Sequence, residues 1–265
     1  MKKKLITSLV CISAQLTFCL PPAAADNGVR RVLFIGNSFT FANDMPEMFG
    51  AVAESLGVKV SVEQAAPGGY TLQQHAADKR TLAKIRAEKW AFVVLQEQSQ
   101  RPQWPEELIA ELVLPYARQI DSLIHENNDS VKTVYFETWA YESGDTDNCA
   151  SLRQTCGYDA MQDRLISTYA RLLRQTGGLL APVGQAWRKV KTAQPGIRLY
   201  GPDGRHPSRQ GSYLAACVLF SAMFHRGVFG ADRLDLPAPE AAILQKTAQE
   251  AVFHPVHGAH EKERL

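Results

Sequence analysis

The 265-residue sequence contains no uninterrupted apolar run of the length that spans a bilayer. Neither sign of charge dominates, with 29 Lys and Arg against 27 Asp and Glu. That balance leaves no basic footprint for a nucleic-acid partner. A phosphate-cradling loop is also missing: the glycines near Ser38 have the wrong spacing, and no Lys-Ser or Lys-Thr follows them. There is no internal repeat, low-complexity tract or interdomain linker. Cysteine is scarce, at five residues. What remains is ordinary globular material, 45% hydrophobic and 21% charged. The length suits one α/β domain with a substantial core.

Residues 1–25 are expected to be a cleavable secretory signal. Lys2, Lys3 and Lys4 precede an apolar stretch from Leu5 to about Leu20, then Pro21, Pro22 and Ala23-Ala24-Ala25. Ser, Gln and Thr interrupt the stretch, which argues against a lasting membrane anchor and against stable insertion once the signal is cut. Export to the periplasm or beyond follows. Cleavage removes three lysines, so the formal net charge of +2 becomes −1. It also removes Cys11 and Cys19. Of the rest, Cys149 and Cys156 sit close together in a polar stretch bound for an oxidising compartment, and read as a loop-stapling disulfide. A zinc pair is the rival, without further ligands nearby. Cys217 falls in an apolar helical run and reads as a small buried hydrophobe. At the other end, residues 254–265 are expected to be a disordered tail. His254, His257 and His260 are interrupted by Pro255 and Gly258, and no metal site or cofactor is expected.

Between these ends, residues 26–253 read as one domain. Short apolar runs without helical period are expected strands: Val32–Ile35, Val58–Val62, Phe92–Leu95, Thr133–Phe136 and Leu179–Val183. Helical patterns alternate with them, at Pro46–Leu56, Thr81–Lys89, Glu106–Glu126 (kinked or divided at Pro115), Asp159–Gln175 and Gln185–Lys191. Two further helices, from about Ser208 to Phe224 and from Pro239 to Phe253, finish the chain. The pattern predicts a three-layer α/β/α sandwich around a five-stranded parallel sheet, flavodoxin-like in winding, with ligands at the C-terminal rim of the strands. Tyr141–Tyr158 is a long polar loop carrying both cysteines.

Two rim segments carry chemistry. In Gly36-Asn37-Ser38-Phe39, directly after the first strand, Gly36 permits a tight strand-to-helix turn that would lift the Ser38 hydroxyl clear of the sheet. The same serine, taken alone, fits a simple turn cap. In Asp203-Gly204-Arg205-His206-Pro207, a carboxylate three residues before an imidazole can hold one ring nitrogen while the other faces outward. Ser38, His206 and Asp203 together make the complete set for nucleophilic acyl transfer: nucleophile, base and orienting acid.

At this point the chain resembles the SGNH/GDSL hydrolases. Gly36-Asn37-Ser38 is similar to their first block, Gly68-Gly69-Tyr70-Thr71 to the second, and Asp203 to Pro207 to the last. A nearer resemblance is to the exported bacterial DUF4886 subgroup, through Gly-Asn-Ser-Phe, Leu72, His75, Leu95-Gln96 and the Asp-Gly-x-His pattern. The resemblance implies an oxyanion hole from the N–H groups of Ser38 and Gly69. The third block departs from the common Gly-x-Asn-Asp and reads Leu95-Gln96-Glu97-Gln98-Ser99. A glutamine amide can replace the missing asparagine, and carbohydrate esterases with Gln-Gly-Glu here are similar. Gln96 is the expected donor and Gln98 its rival.

Asn37, Glu97 and His75 are further candidates for contact with substrate. His75 reads better as a helix-surface or capping histidine. Arg101, Trp104 and Trp139 are candidates for the rim or for packing. The implied activity is hydrolysis of a small ester, with an O-acetylated carbohydrate favoured, through an acyl-enzyme on Ser38. A glycan-binding protein on the same scaffold without turnover is the alternative. A thioesterase or lipase is a third reading, and no long apolar lid segment favours it.

Overall fold

The computed structural model describes residues 28–254. The expected signal at 1–25 and the tail after His254 lie outside the described residues. Five strands, β1 Arg30–Ile35, β2 Val60–Ala65, β3 Phe92–Leu95, β4 Lys132–Phe136 and β5 Leu179–Ala181, form one sheet in the order β2-β1-β3-β4-β5. Every pairing is parallel. The helices are α1 Ser38–Phe41, α2 Met45–Ser55, α3 Leu72–Ala77, α4 Lys79–Ala87, α5 Glu106–Leu112, α6 Leu114–Asn127, α7 Tyr158–Thr176, α8 Val183–Ala193, α9 Arg209–Phe224 and α10 Ala238–Phe253.

Side chains alternate across a strand, so each strand feeds both layers. Val32 and Phe34 of β1 join Val94, Val134 and Phe136 in a core covered by α2, α8, α9 and α10. Leu33 and Ile35 join Val93, Leu95 and Tyr135 in a second core under α3 to α6. All four of those β1 residues are fully buried. A strand buried on both faces must be apolar throughout, and the uninterrupted apolar runs reflect that. Helix α9 is buried nearly all round, from Gly211 to Met223, as a helix apolar on every side must be. Its Cys217 is free and buried, and burial pushes the thiol far up.

Boundaries differ from expectation where local chemistry intervenes. The expected helix over Glu106–Glu126 is two, broken at Val113, because Pro115 lacks the N–H that a continuous helix needs. Strand β5 stops at Ala181, and Pro182 turns the chain so that Val183 opens α8. Among the described residues no helix is long and apolar enough to cross a membrane.

Candidate active site

The first strand ends in a turn assembled from below. Gly36 must be glycine, since a Cβ there would collide with the Thr40 hydroxyl and the Gln96 carboxamide. Asn37 caps α1: its Oδ1 accepts from Phe39 N at 3.1 Å, and its Nδ2 donates to the Tyr70 carbonyl at 2.8 Å. Gln96 Oε1 accepts from Asn37 N and from Thr40 Oγ1, both at 2.9 Å. His75 Nε2 donates to the Gly36 carbonyl at 2.8 Å, leaving Nδ1 to accept from Thr81 Oγ1 at 3.0 Å. Burial lowers the His75 pKa, against the Gly36 bond and the charge of Asp78, which favours that neutral ring. All these supports are buried, and Ser38 emerges above them partly exposed.

His206 sits on a tight loop between Tyr200 and Pro207, which pair across its neck. Asp203 Oδ1 accepts from the backbone N–H groups of Arg205 and His206, each at 3.0 Å. Its Oδ2 lies 2.6 Å from His206 Nδ1, and His206 Nε2 lies 2.8 Å from Ser38 Oγ. Desolvation disfavours the charged form of Asp203. The imidazole and the two N–H groups outweigh it and hold the carboxyl at about 2. A charged Asp203 therefore fixes the proton on Nδ1 and leaves Nε2 free to take one from Ser38.

Four contacts hold this loop over Ser38. The Phe39 ring meets the His206 ring edge-on, with centroids 5.4 Å apart. Trp139 Nε1 donates to the Arg205 carbonyl at 2.9 Å. Glu142 N donates to the Gly204 carbonyl at 2.8 Å. Asn43 Nδ2, just past α1, donates to the Pro207 carbonyl at 3.0 Å and to Ser212 Oγ at 2.9 Å. Asn43 has φ +56°, in the left-handed region that asparagine tolerates better than most residues. Arg205 pairs with Asp147 at 2.6 Å and lies over the Tyr141 ring, tying the loop to the cysteine-bearing segment. In that segment Cys149 and Cys156 are disulfide-bonded.

For an oxyanion, the Ser38 N–H opens α1, where a helix leaves its first N–H groups without partners inside it. Gly69, with φ +71°, is exposed in the turn that Asn37 ties to the nucleophile. Gln96 requires a correction. Its carboxamide is fully buried, with Oε1 spent on the nucleophile turn and Nε2 donating to the Glu97 carbonyl. A buried amide must satisfy its own bonds, and here it does so beneath Ser38 rather than beside it. Gln98 turns back on its loop, its Oε1 accepting from Gln100 N and Arg101 N.

The three candidate substrate contacts move inward as well. Asn37 and His75 are supports of the turn. Glu97 is fully buried, with Oε1 accepting from Leu72 N at 3.2 Å and Gln98 N at 2.6 Å. Burial raises its carboxyl to about 7, against those bonds and the charge of Arg101. Trp139 lies under the site, stacked between Phe39 and Trp187 at 4.7 and 4.0 Å. Arg101 packs over Trp104 and donates to Gln73 and the Leu112 carbonyl. Sequence reasoning missed Phe39 and Asn43 as supports of the His206 loop. Phe39 lies inside the Gly-Asn-Ser-Phe pattern, and Asn43 carries no local signal.

No family model matches the chain, and no curated protein matches it. Solved structures do. A DUF4886 family protein from Bacteroides uniformis matches with TM-score 0.71 at 19% identity, over 86% of this chain and 96% of its own. A protein from Slackia heliotrinireducens described as an SGNH hydrolase is 32% identical, over 74% of this chain and 99% of its own, with TM-score 0.59. A protein from Parabacteroides merdae described as a GDSL-like lipase matches with TM-score 0.57 at 14% identity, over 74% and 96% of the two chains.

Proposed function

Because the chain belongs to the SGNH hydrolases and is an esterase-type hydrolase, we propose that it cleaves a small ester through an acyl-enzyme on Ser38, with an O-acetylated carbohydrate as the favoured substrate. The observation that carries this reading is the hydrogen-bonded series from Ser38 Oγ through His206 to Asp203. Ser38 Oγ attacks the ester carbonyl while His206 Nε2 takes its proton. Asp203 stabilises the imidazolium, and the N–H groups of Ser38 and Gly69 receive the charge on the carbonyl oxygen. His206 then gives the proton to the departing alcohol. Water, deprotonated by the same nitrogen, releases the acid and restores Ser38.

The disulfide supports export to an oxidising compartment, where glycan esters are accessible. Acetate release from acetylated xylan fragments by the wild type and by Ser38→Ala tests the reading. The variant should lose on the order of 10⁶ in kcat, because removing the nucleophile disables the whole set. Undiminished release would refute it. The inward turn of Gln96 favours a second reading, a glycan-binding protein of low turnover, since it leaves two backbone donors for the oxyanion. Tight binding of the same fragments with no acetate released by the wild type would select it.

A further inference from the structure

A cavity of about 390 Å³ lies apart from Ser38, within the size range of small-molecule sites. Glu142, Lys191, Arg198, Tyr200 and the backbone around Gly196 line it. It backs onto the root of the base loop. Tyr200 pairs with Pro207, Ser208 Oγ donates to the Arg198 carbonyl at 2.7 Å, and Glu142 N holds the Gly204 carbonyl. Lys191 Nζ stands 4.8 Å over the Tyr158 ring, which orients it before any ligand arrives. Neither Lys191 nor Arg198 forms an ion pair among the described residues, although Glu142 shares the cavity.

The lining sets the chemistry of the occupant. Two cations suit a carboxylate, which accepts charge-assisted hydrogen bonds from both. Glu142 can only accept, so it calls for hydroxyl donors on the same molecule and repels a second negative charge. An apolar ligand would make no use of the three charges. We propose that this cavity binds a carboxylate-bearing sugar, a uronate, arriving either as a unit of the ester-bearing glycan or as a free acid. The first source rests on the esterase reading; binding itself does not.

Titration calorimetry with glucuronate, and with glucose as the neutral control, tests the proposal on the purified protein. Glucuronate should bind and glucose should bind at least about tenfold more weakly, since one charge-assisted bond is equivalent to roughly a tenfold change in Kd. Lys191→Ala/Arg198→Ala should raise the glucuronate Kd about tenfold or more, with melting temperature as the check on folding. Arg198→Glu, at an exposed position, should weaken it as well. Ser38→Ala should bind glucuronate as the wild type does, and a wild type that binds glucuronate yet releases no acetate counts against the esterase reading alone. A KM increase confined to acetylated fragments that carry glucuronate identifies a glycan unit. A change in 4-nitrophenyl acetate hydrolysis on adding glucuronate identifies a free ligand. Equal affinity for glucose and glucuronate, unchanged affinity in the double variant, or no binding of glucuronate would overturn the proposal.

Discussion

Ser38 and His206 are held by opposite means. Ser38 rides on a turn whose supports, Asn37, His75 and Gln96, are buried and bonded at both ends of their side chains. His206 rides on an exposed loop, its Asp203 partner about half open to solvent, and reaches the body of the protein through single bonds from Trp139, Glu142 and Asn43. A buried polar support cannot be removed without stranding its partners, so the nucleophile turn is coupled to folding. An exposed loop exchanges lost bonds for water, so its supports act on the position of one ring. Damage to the first region should appear in stability, and damage to the second in rate.

Among the residues that support Ser38 and His206, the largest effect should come from Asp203→Asn. Its amide faces the ring nitrogen that must carry a proton, and kcat should fall on the order of 10³–10⁴. Melting temperature should scarcely move, and steady-state kinetics beside a thermal scan reads both. Asn43→Gly comes next. Glycine keeps the left-handed backbone and removes the tie to Pro207 and Ser212, so kcat should fall roughly 10- to 100-fold with KM nearly unchanged. A loss in KM alone would show that Asn43 does not position His206.

Gln96→Leu should reverse the pattern. It strands Asn37 N and Thr40 Oγ1, about 1–3 kcal/mol each, and the melting temperature should drop by roughly 5–15 °C. A kcat loss without that drop would return Gln96 to the oxyanion hole.

The Gln96 outcome also marks what the sequence made legible. The central strands were readable because burial on both faces leaves only apolar residues, and Phe92–Leu95 is β3 to the residue, whereas the half-exposed edge strand β2 runs from Val60 to Ala65, past the expected Val58–Val62. Gly36, Ser38, Asp203 and His206 were readable because local turn chemistry places them. Helix α3 was missed although Thr71 and Gln74 form the reciprocal cap that announces a helix start. The directions of the Gln96 and His75 side chains depend on packing between β3, α3 and the nucleophile turn, which no local pattern encodes. Asn43 joins residues more than 160 positions apart, beyond any spacing rule.

Glu97→Gln offers the smallest and most specific effect. A carboxyl raised to about 7 in the fold keeps its proton above its ordinary 4.5, so the folded state binds more protons than the unfolded one between those values. The Glu97 contribution is therefore fully present below pH 4.5 and is lost as pH rises through about 7. Glutamine preserves the acceptor for Leu72 N and Gln98 N and cannot ionise. The variant should gain on the wild type by about 3 kcal/mol across that window. Denaturant melts at several pH values measure the difference, and parallel curves would contradict a buried, protonated Glu97.

The central claim is that Ser38, activated by His206, is the nucleophile. Labelling with a fluorophosphonate followed by peptide mapping tests it most directly. The label should sit on Ser38 alone, vanish in Ser38→Ala and form far more slowly in Asp203→Asn. Modification of any other serine, or labelling of the alanine variant at the wild-type rate, would contradict the account.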